Sequence, residues 1–177
     1  MEFTVRETEK VYHGSRIQVF RDFVEQSDGS EVTREVVSIN NAAAIVPVTP
    51  EGRIVLIRQF RYPLKGALVE IPAGIIDGDE SPEDCARREV LEETGYGAGE
   101  LTWLGKIHTS PGICTEVIDL YLARKLEKGE QSLDHGEIIE PREVEFGEAL
   151  EMIDRGEITD AKTICGLLLA KKAIGAE

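Results

Sequence analysis

Alternating hydrophobic and polar residues predict strands along most of the chain, and helical spacing appears in three places. Turn residues such as Gly52 and the Ser-Asp-Gly-Ser run at 27–30 separate the strand-like segments, as in hairpins. The predicted strands are 16–26, 31–39, 42–50, 54–62, 67–74, 100–110 and 117–126. Apolar residues at helical spacing predict a helix after Ser81 and two more at 147–158 and 160–175.

The first of these helices has clear start and stop signals. Ser81 is a good N-cap, Pro82 suits the first helical position, and Gly95 predicts the end. Asp160 is the predicted cap of the last helix.

The order of elements predicts an α+β protein. Strands and helices do not alternate regularly, which favours an α/β/α sandwich with a mixed sheet over a Rossmann sheet. We expect a small antiparallel sheet over residues 1–41 and a second domain over 42–177, without a repeat or long linker.

Composition narrows the function classes. A formal charge of −14 gives no electrostatic reason to bind nucleic acid or an anionic membrane, and it favours metal cations as counter-ions for any phosphate ligand. No run approaches the roughly 18 apolar residues of a membrane span. Three widely spaced cysteines predict free thiols and a cytoplasmic protein, and three scattered histidines argue against a zinc site.

The helix after Ser81 carries three glutamates on one side. At about 100° per residue, Glu89, Glu92 and Glu93 fall within a sector of roughly 100°, beside an apolar stripe formed by Ala86 and Val90. Such carboxylates suit a hard divalent cation that also binds phosphate oxygens. Taken alone, the segment favours a solvated face on which Arg88 pairs with Glu92.

The preceding residues change this balance. From Gly74 to Tyr96 the sequence GIIDGDESPEDCARREVLEETGY resembles the Nudix box, which has Gly, five residues, Glu, seven residues and then Arg-Glu-aliphatic-x-Glu-Glu-x-Gly-aliphatic. The matching residues are Gly74, Glu80, Arg88, Glu89, Val90, Glu92, Glu93 and Gly95. Tyr96 departs mildly from the aliphatic residue that is usual there.

The resemblance implies a Nudix fold and hydrolysis of a nucleoside diphosphate linked to another group. It implies Mg²⁺ as cofactor, with Mn²⁺ as an alternative. The implied metal ligands are Glu89, Glu92, Glu93 and the carbonyl of Ala73. Arg88 would orient the glutamates, and Glu80 would be a structural or secondary metal residue.

Segments outside the box are similar to the ADP-ribose pyrophosphatase branch: RQFRYP at 58–63, LVEIPAG at 68–74, and a proline sixteen residues after Gly95 in SPGICTE. The implied substrate-binding residues are Arg58, Phe60, Arg61, Pro111 and Glu116. Arg58 and Arg61 are three apart, so strand alternation predicts that they point to opposite faces. The branch also implies a homodimer whose N-terminal sheets help to form the adenine site.

The segment 133–144 is predicted to be an acidic loop, and a further catalytic glutamate is implied there, with Glu137 preferred and Glu140 as the alternative. The sequence therefore predicts Mg²⁺-dependent hydrolysis of ADP-ribose to AMP and ribose 5-phosphate. The alternatives are a pyrophosphatase for another nucleotide sugar such as GDP-mannose or for a dinucleotide, and a non-catalytic nucleotide sensor. The sensor is disfavoured because such proteins commonly lose glutamates of the box.

Overall fold

The computed structural model describes residues 3–175, so the outermost residues of the two predicted domains lie outside the described part. The strands are β1 (Phe3–His13), β2 (Ile17–Gln26), β3 (Glu31–Ile39), β4 (Ala42–Pro47), β5 (Arg53–Arg61), β6 (Gly66–Glu70), β7 (Ala73–Ile75), β8 (Tyr96–His108), β9 (Val117–Lys128) and β10 (Ile139–Glu145). The helices are α1 (Pro82–Thr94), α2 (Phe146–Asp154), α3 (Ala161–Ile174) and a short 3₁₀ turn at Tyr62–Leu64. None of the helices in this range is long and apolar enough to cross a membrane.

The chain divides into two compact units. The first comprises the residues up to Asn41 together with His108–Val117, a segment that the sequence prediction assigned to 42–177. Its antiparallel sheet has the order β1-β2-β3, so it has one more strand than the predicted hairpin. The segment 108–117 runs along β3, where the Val37 N–H donates to the Ile113 carbonyl at 2.7 Å and the Thr115 N–H donates to the Val37 carbonyl at 3.0 Å.

The second unit contains two sheets and all three helices. One sheet has the order β10-β5-β6 and the other the order β7-β4-β9-β8. Strand β4 is parallel to β9 and antiparallel to β7, which confirms the predicted mixed sheet.

Alternate residues of β4 face two different apolar clusters. Ala43 and Ile45 pack with Val90 and other residues of α1, whereas Ala44 and Val46 pack with residues of α2 and α3. The sheet therefore has helices on both faces, because each face of β4 is fully apolar and must be covered. The predicted α+β class with an α/β/α sandwich is confirmed.

Two parts of the prediction were wrong. The segment 67–74 is not one strand, since it breaks at Ile71-Pro72 into β6 and β7, which belong to different sheets. Proline lacks the N–H that a continuous ladder requires. The segment 133–144 is not a loop throughout, because strand β10 begins at Ile139 and contains Glu140.

Candidate active site

Helix α1 begins and ends as its sequence predicts. The Ser81 hydroxyl accepts a hydrogen bond from the Asp84 N–H at 3.1 Å, and Pro82 is the first helical residue. The helix stops at Gly95, which has φ 72° in the left-handed region that glycine adopts without strain. These local signals fix which side of the helix carries each glutamate.

Gly74 lies directly against a carboxylate of this helix. A Cβ atom at position 74 would lie 1.8 Å from Oε1 of Glu89 and 1.9 Å from its carboxyl carbon. Any side chain at this position would therefore displace Glu89. The backbone of β7 and the carboxylate share one narrow space, and glycine alone leaves room for both.

Arg88 is the centre of a half-buried network. Its Nε and Nη2 donate to the two oxygens of Glu80 at 3.0 and 2.9 Å, and its Nη1 donates to Glu89 at 2.6 Å and to Glu92 at 3.0 Å. The Nη2 group also donates to the Ile75 carbonyl at 3.1 Å. The Arg88–Glu92 pair that a solvated face would show is present, but it belongs to a network that ties α1 to the preceding loop.

Glu93 is the most deeply buried of the glutamates of α1, with 2% of its surface exposed. Its Oε2 accepts a hydrogen bond from the Ala73 N–H at 2.9 Å. Burial raises the pKa of Glu93 to about 8, and the negative charges of Glu89 and Glu137 add to this effect, while Arg61 opposes it. The surrounding protein therefore compensates the ionised form of Glu93 poorly.

Glu89 shares this environment. Burial raises its pKa, the hydrogen bond and charge of Arg88 lower it, and the charges of Glu92 and Glu137 raise it again, with a net upward shift. Two neighbouring carboxylates of α1 thus resist ionisation. A local excess of negative charge at a buried position is typical of a functional site.

Glu137 lies in the loop before β10, where its Oε2 accepts a hydrogen bond from the Asp134 N–H at 3.2 Å. Its charge acts on both Glu89 and Glu93, so the fold brings this loop towards α1. The alternative, Glu140, is opposite Arg58 across the β10–β5 ladder and forms an exposed ion pair with it at 3.7 Å.

The other predicted substrate-binding residues of this unit lie on β5. Arg58 and Phe60 share one face of the strand, and both side chains are exposed, Phe60 by 46%. Arg61 lies on the opposite face, where Nε and Nη2 donate to the two oxygens of Glu70 at 2.8 and 2.6 Å. The predicted divergence of Arg58 and Arg61 is confirmed.

Pro111 and Glu116 belong to the first unit. Pro111 is in a turn in which the Cys114 N–H donates to the Ser110 carbonyl at 2.8 Å. The Glu116 N–H donates to the sulfur of Cys114 at 3.4 Å. Both residues are thus part of the segment that runs along β3.

Residues 39–167 match the NUDIX domain. The chain belongs to the Nudix family. Nudix hydrolases in general use divalent metal ions. The network around Arg88 and the close approach of Gly74 to Glu89 thus lie within the Nudix box of this chain.

Curated relatives extend the similarity beyond the box. The chain is 39% identical over 173 residues to the ADP-ribose pyrophosphatase of Bacillus subtilis (strain 168), covering 96% of this chain and 94% of the relative. It is 39% identical over 159 residues to the methanol dehydrogenase activator of Bacillus methanolicus, with 89% and 86% covered. Identity to the GDP-mannose pyrophosphatase of Escherichia coli (strain K12) is 42% over 141 residues, with 74% and 73% covered.

A solved structure has the same fold. It is described as the crystal structure of ADP compounds hydrolase and aligns with a TM-score of 0.90 at 23% sequence identity, covering 99% of this chain and 95% of the other. This likeness establishes the predicted Nudix fold.

The donor set of this Nudix site suits a divalent cation. Within residues 3–175, no three His, Cys, Asp or Glu side chains converge closely enough to form a ready-made metal site. Glu89 and Glu92 bind Arg88 instead, and Glu93 binds the Ala73 N–H, although Ala73 was predicted to contribute its carbonyl. The poorly compensated ionised form of Glu93, on which the charges of Glu89 and Glu137 also act, is complementary to a hard cation.

Two charged residues that sequence reasoning missed lie beside this site. Glu70, with 1% of its surface exposed, accepts hydrogen bonds from Arg61 and from the ammonium group of Lys162. Glu70 occurs within the apolar run LVEIPAG, whereas Lys162 lies between Ala161 and Thr163 near the start of α3. An isolated charge in an otherwise buried segment was the signal that could have found Glu70.

Gln59 was also missed. It lies between Ile57 and Arg61 on the same face of β5, and 7% of its surface is exposed. Its Oε1 atom is buried and accepts no hydrogen bond from any residue between 3 and 175. An unpaired buried acceptor is costly, so the Gln59 side chain leaves a polar group without a partner on the same face of β5 as Arg61.

Proposed function

We propose that this protein hydrolyses ADP-ribose to AMP and ribose 5-phosphate in the presence of Mg²⁺. The observation that carries the hydrolytic chemistry is the buried, poorly compensated carboxylate of Glu93 among Glu89, Glu92 and Glu137. The choice of substrate is supported by 39% identity to an ADP-ribose pyrophosphatase over nearly the full length of both chains.

In this proposal Glu89, Glu92 and Glu93, with the carbonyl of Ala73, hold the cation. When bound, a divalent cation neutralises charge on the pyrophosphate and favours attack by water. Mn²⁺ is the alternative because the same oxygen ligands suit it. Arg88 holds Glu89 and Glu92 in place through the hydrogen bonds of its Nη1 group.

The remaining residues act on the substrate and on water. Glu137 accepts a proton from the attacking water, whose oxygen forms a bond to one phosphorus while the bridging P–O bond of the pyrophosphate breaks. One molecule of water is consumed, and the two products each carry a phosphate. Arg61 donates hydrogen bonds to the pyrophosphate, and Arg58 contributes positive charge at the exposed face of β5.

Phe60 supplies an exposed ring on which adenine stacks, and Pro111 and Glu116 bind the substrate. These assignments rest on the exposure of Phe60 and on the resemblance of the surrounding segments to the ADP-ribose pyrophosphatase branch. Replacing Phe60 by alanine should raise KM for ADP-ribose about tenfold. An unchanged KM would contradict its role.

The proposal is tested by incubating the purified protein with ADP-ribose and Mg²⁺ and identifying the products by ion-exchange chromatography. We expect AMP and ribose 5-phosphate in equal amounts, and no products after EDTA is added. GDP-mannose is the second candidate because identity to the Escherichia coli enzyme is 42% over 141 residues. A much higher kcat/KM for GDP-mannose in the same assay would replace ADP-ribose by that substrate.

We also propose that the protein is a homodimer formed through the N-terminal sheet. Strand β1 is an edge strand whose eleven residues are all exposed in the single chain, including Phe3, Val5, Val11 and Tyr12. Such an edge invites pairing or burial by another chain. Analytical ultracentrifugation should show a dimer that Val5→Glu weakens and Glu7→Gln leaves intact; a wild-type monomer would contradict this.

A further inference from the structure

Four charged side chains join β5, β6 and α3 in one chain of contacts. The buried carboxylate of Glu70 accepts two hydrogen bonds from Arg61, at 2.8 and 2.6 Å, and a third from Lys162. The ammonium group of Lys162 also donates to Oδ2 of Asp160 at 3.0 Å. Glu70 and Lys162 are 92 residues apart in the sequence, so this contact exists only in the folded protein.

The N-terminus of α3 fastens this network to the strand that leads into the Nudix box. Asp160 caps the helix by accepting from the Thr163 N–H at 2.9 Å and from its hydroxyl at 2.6 Å. The Thr163 hydroxyl oxygen in turn accepts from the Ile71 N–H at 2.9 Å. Both Glu70 and its neighbour Ile71 are therefore held by residues of α3.

The network leaves part of Arg61 available. Glu70 occupies the Nε and Nη2 atoms, and Nη1 makes no hydrogen bond to any residue in the range 3–175. The Arg61 side chain is 35% exposed, while the carboxylate that it binds is 1% exposed. The charge of Glu93 also raises the pKa of Arg61, and the charge of Arg61 lowers that of Glu93, so the two groups are close enough for their charges to interact.

Stability alone is a weak reason for such an arrangement. Removing two charges from water is costly, and well-packed apolar residues often replace a buried ion pair without loss of stability. Fixing the orientation of a guanidinium, by contrast, requires a carboxylate that cannot itself move. Glu70 meets this requirement because Lys162 and Arg61 bind it from two elements.

We propose that Glu70 and Lys162 are positioning residues that hold Arg61 so that its Nη1 group donates to the pyrophosphate of the substrate. This inference rests on the proposed function. It adds α3 to the residues that govern substrate affinity, although α3 lies outside the Nudix box. Lys162 does not touch the substrate and acts through Glu70 and Arg61.

The test combines a calorimetric Kd for ADP-ribose in EDTA, where no turnover occurs, with KM and kcat in Mg²⁺. Lys162→Met should raise both Kd and KM about tenfold, because a guanidinium that is held less firmly keeps its charge but is no longer oriented for hydrogen bonds to the pyrophosphate. The matched control is Lys172→Met on the exposed part of the same helix, which should leave Kd and KM unchanged. Lys162→Arg, which keeps the charge, should restore most of the affinity.

A double-mutant cycle separates positioning from a general structural effect. In an Arg61→Ala background, Lys162→Met should have no further effect on Kd, because the residue through which it acts is gone. Independent, additive effects would overturn the proposal, as would an unchanged Kd in Lys162→Met. If Lys162→Met fails to fold, the same cycle is made with Lys162→Gln, and additivity there would be equally decisive.

Different results would contradict the proposed function and the positioning role. A wild-type protein that neither binds nor hydrolyses ADP-ribose would contradict the substrate assignment. A wild-type protein that does both, with Kd values insensitive to Lys162, would contradict the positioning role alone.

Discussion

Two buried glutamates of the second unit have opposite environments. Glu93 and Glu70 have 2% and 1% of their surfaces exposed, so burial penalises the charge of both. Burial raises the pKa of Glu93 to about 8, since its one hydrogen-bond donor, the Ala73 N–H, is outweighed by burial and by the neighbouring carboxylates. Burial also raises the pKa of Glu70, but the hydrogen bonds and charges of Arg61 and Lys162 lower it by more than burial raises it. The net shift is therefore downward.

The comparison shows how this fold divides its carboxylates. Glu70 has its counter-ions within the chain, so it can serve as a fixed anchor at any pH above its lowered folded pKa. Glu93 lacks an adequate counter-ion among residues 3–175, so it is suited to receive one from solution. A divalent cation bound there would therefore stabilise the protein as well as supply the chemistry.

Glu93→Gln should have the largest effect. Activity on ADP-ribose should fall about a thousandfold, because a charged ligand of the cation is replaced by a neutral amide of the same shape. Steady-state kinetics at saturating Mg²⁺ measure this. A variant within a few-fold of the wild-type rate would contradict the role of Glu93.

The same variant should gain stability when metal is absent and the pH is high. The raised pKa means that the unfolded state releases its proton near 4.5 and the folded state near 8, so the wild type loses stability as pH rises through this window. Urea unfolding in EDTA at pH 6 and pH 9 should show the wild type losing stability relative to Glu93→Gln. If wild type and Glu93→Gln changed stability equally between pH 6 and pH 9, the negative charge of Glu93 would be well compensated in the folded protein.

Glu70→Gln should lose stability, which is the opposite of the effect expected for Glu93→Gln in the absence of metal. Removing this carboxylate leaves Arg61 and Lys162 without their shared partner, and breaking a buried pair costs about 3 kcal/mol of unfolding free energy at pH 7. Urea unfolding compares it directly with Glu93→Gln. If both variants changed stability equally in EDTA at pH 9, the contrast between the two glutamates would be wrong.

Gly74→Ala tests the packing around Glu89, which lies one helical turn before Glu93. Its Cβ would displace the Glu89 carboxylate, so activity should fall about tenfold or more, while stability changes little because the displaced atoms are the end of a flexible side chain. The matched control is Gly147→Ala in α2, where an added Cβ meets nothing within 4 Å and should stabilise the helix by about 0.5–1 kcal/mol. Equal behaviour of the two variants would contradict the close approach of Gly74 and Glu89.

The smallest effect is an acid dependence of Lys162→Met. Because the folded pKa of Glu70 lies below its usual value, its stabilising contribution is present above pH 4.5 and is lost as pH falls through the folded pKa. The stability difference between wild type and Lys162→Met should therefore be larger at pH 7 than at pH 3. A difference independent of pH would show that Lys162 stabilises the fold without supporting the charge of Glu70.

Local signals were sufficient to predict the parts of the molecule in which sequence neighbours determine structure. Ser81 and Gly95 define α1, and the spacing within the box identifies its glutamates before any tertiary contact is considered. Strand β1 was missed because its residues are exposed on both faces, so no alternation of apolar and polar residues marks it. Strand β10 was missed because Pro141 and four glutamates or arginines interrupt its apolar pattern.

The residues of the site also fall into two groups, those that local sequence signals predict and those that depend on tertiary packing. The box indicates which side chains of α1 carry the chemistry, and the acidic segment before β10 indicates Glu137. The partnership of Glu70 with Lys162 could not be predicted, because it depends on how α3 packs against the end of β6 and leaves no pattern in either segment.

The most direct test of the account is the effect of Mg²⁺ on thermal unfolding at pH 9, measured for wild type, Glu93→Gln and Glu70→Gln by differential scanning calorimetry. If Glu93 and its neighbouring carboxylates bind a divalent cation in the folded state, Mg²⁺ should raise the Tm of the wild type by several degrees. It should raise that of Glu70→Gln by a similar amount and that of Glu93→Gln by much less. An equal rise in all three proteins, or no rise in the wild type, would contradict the account.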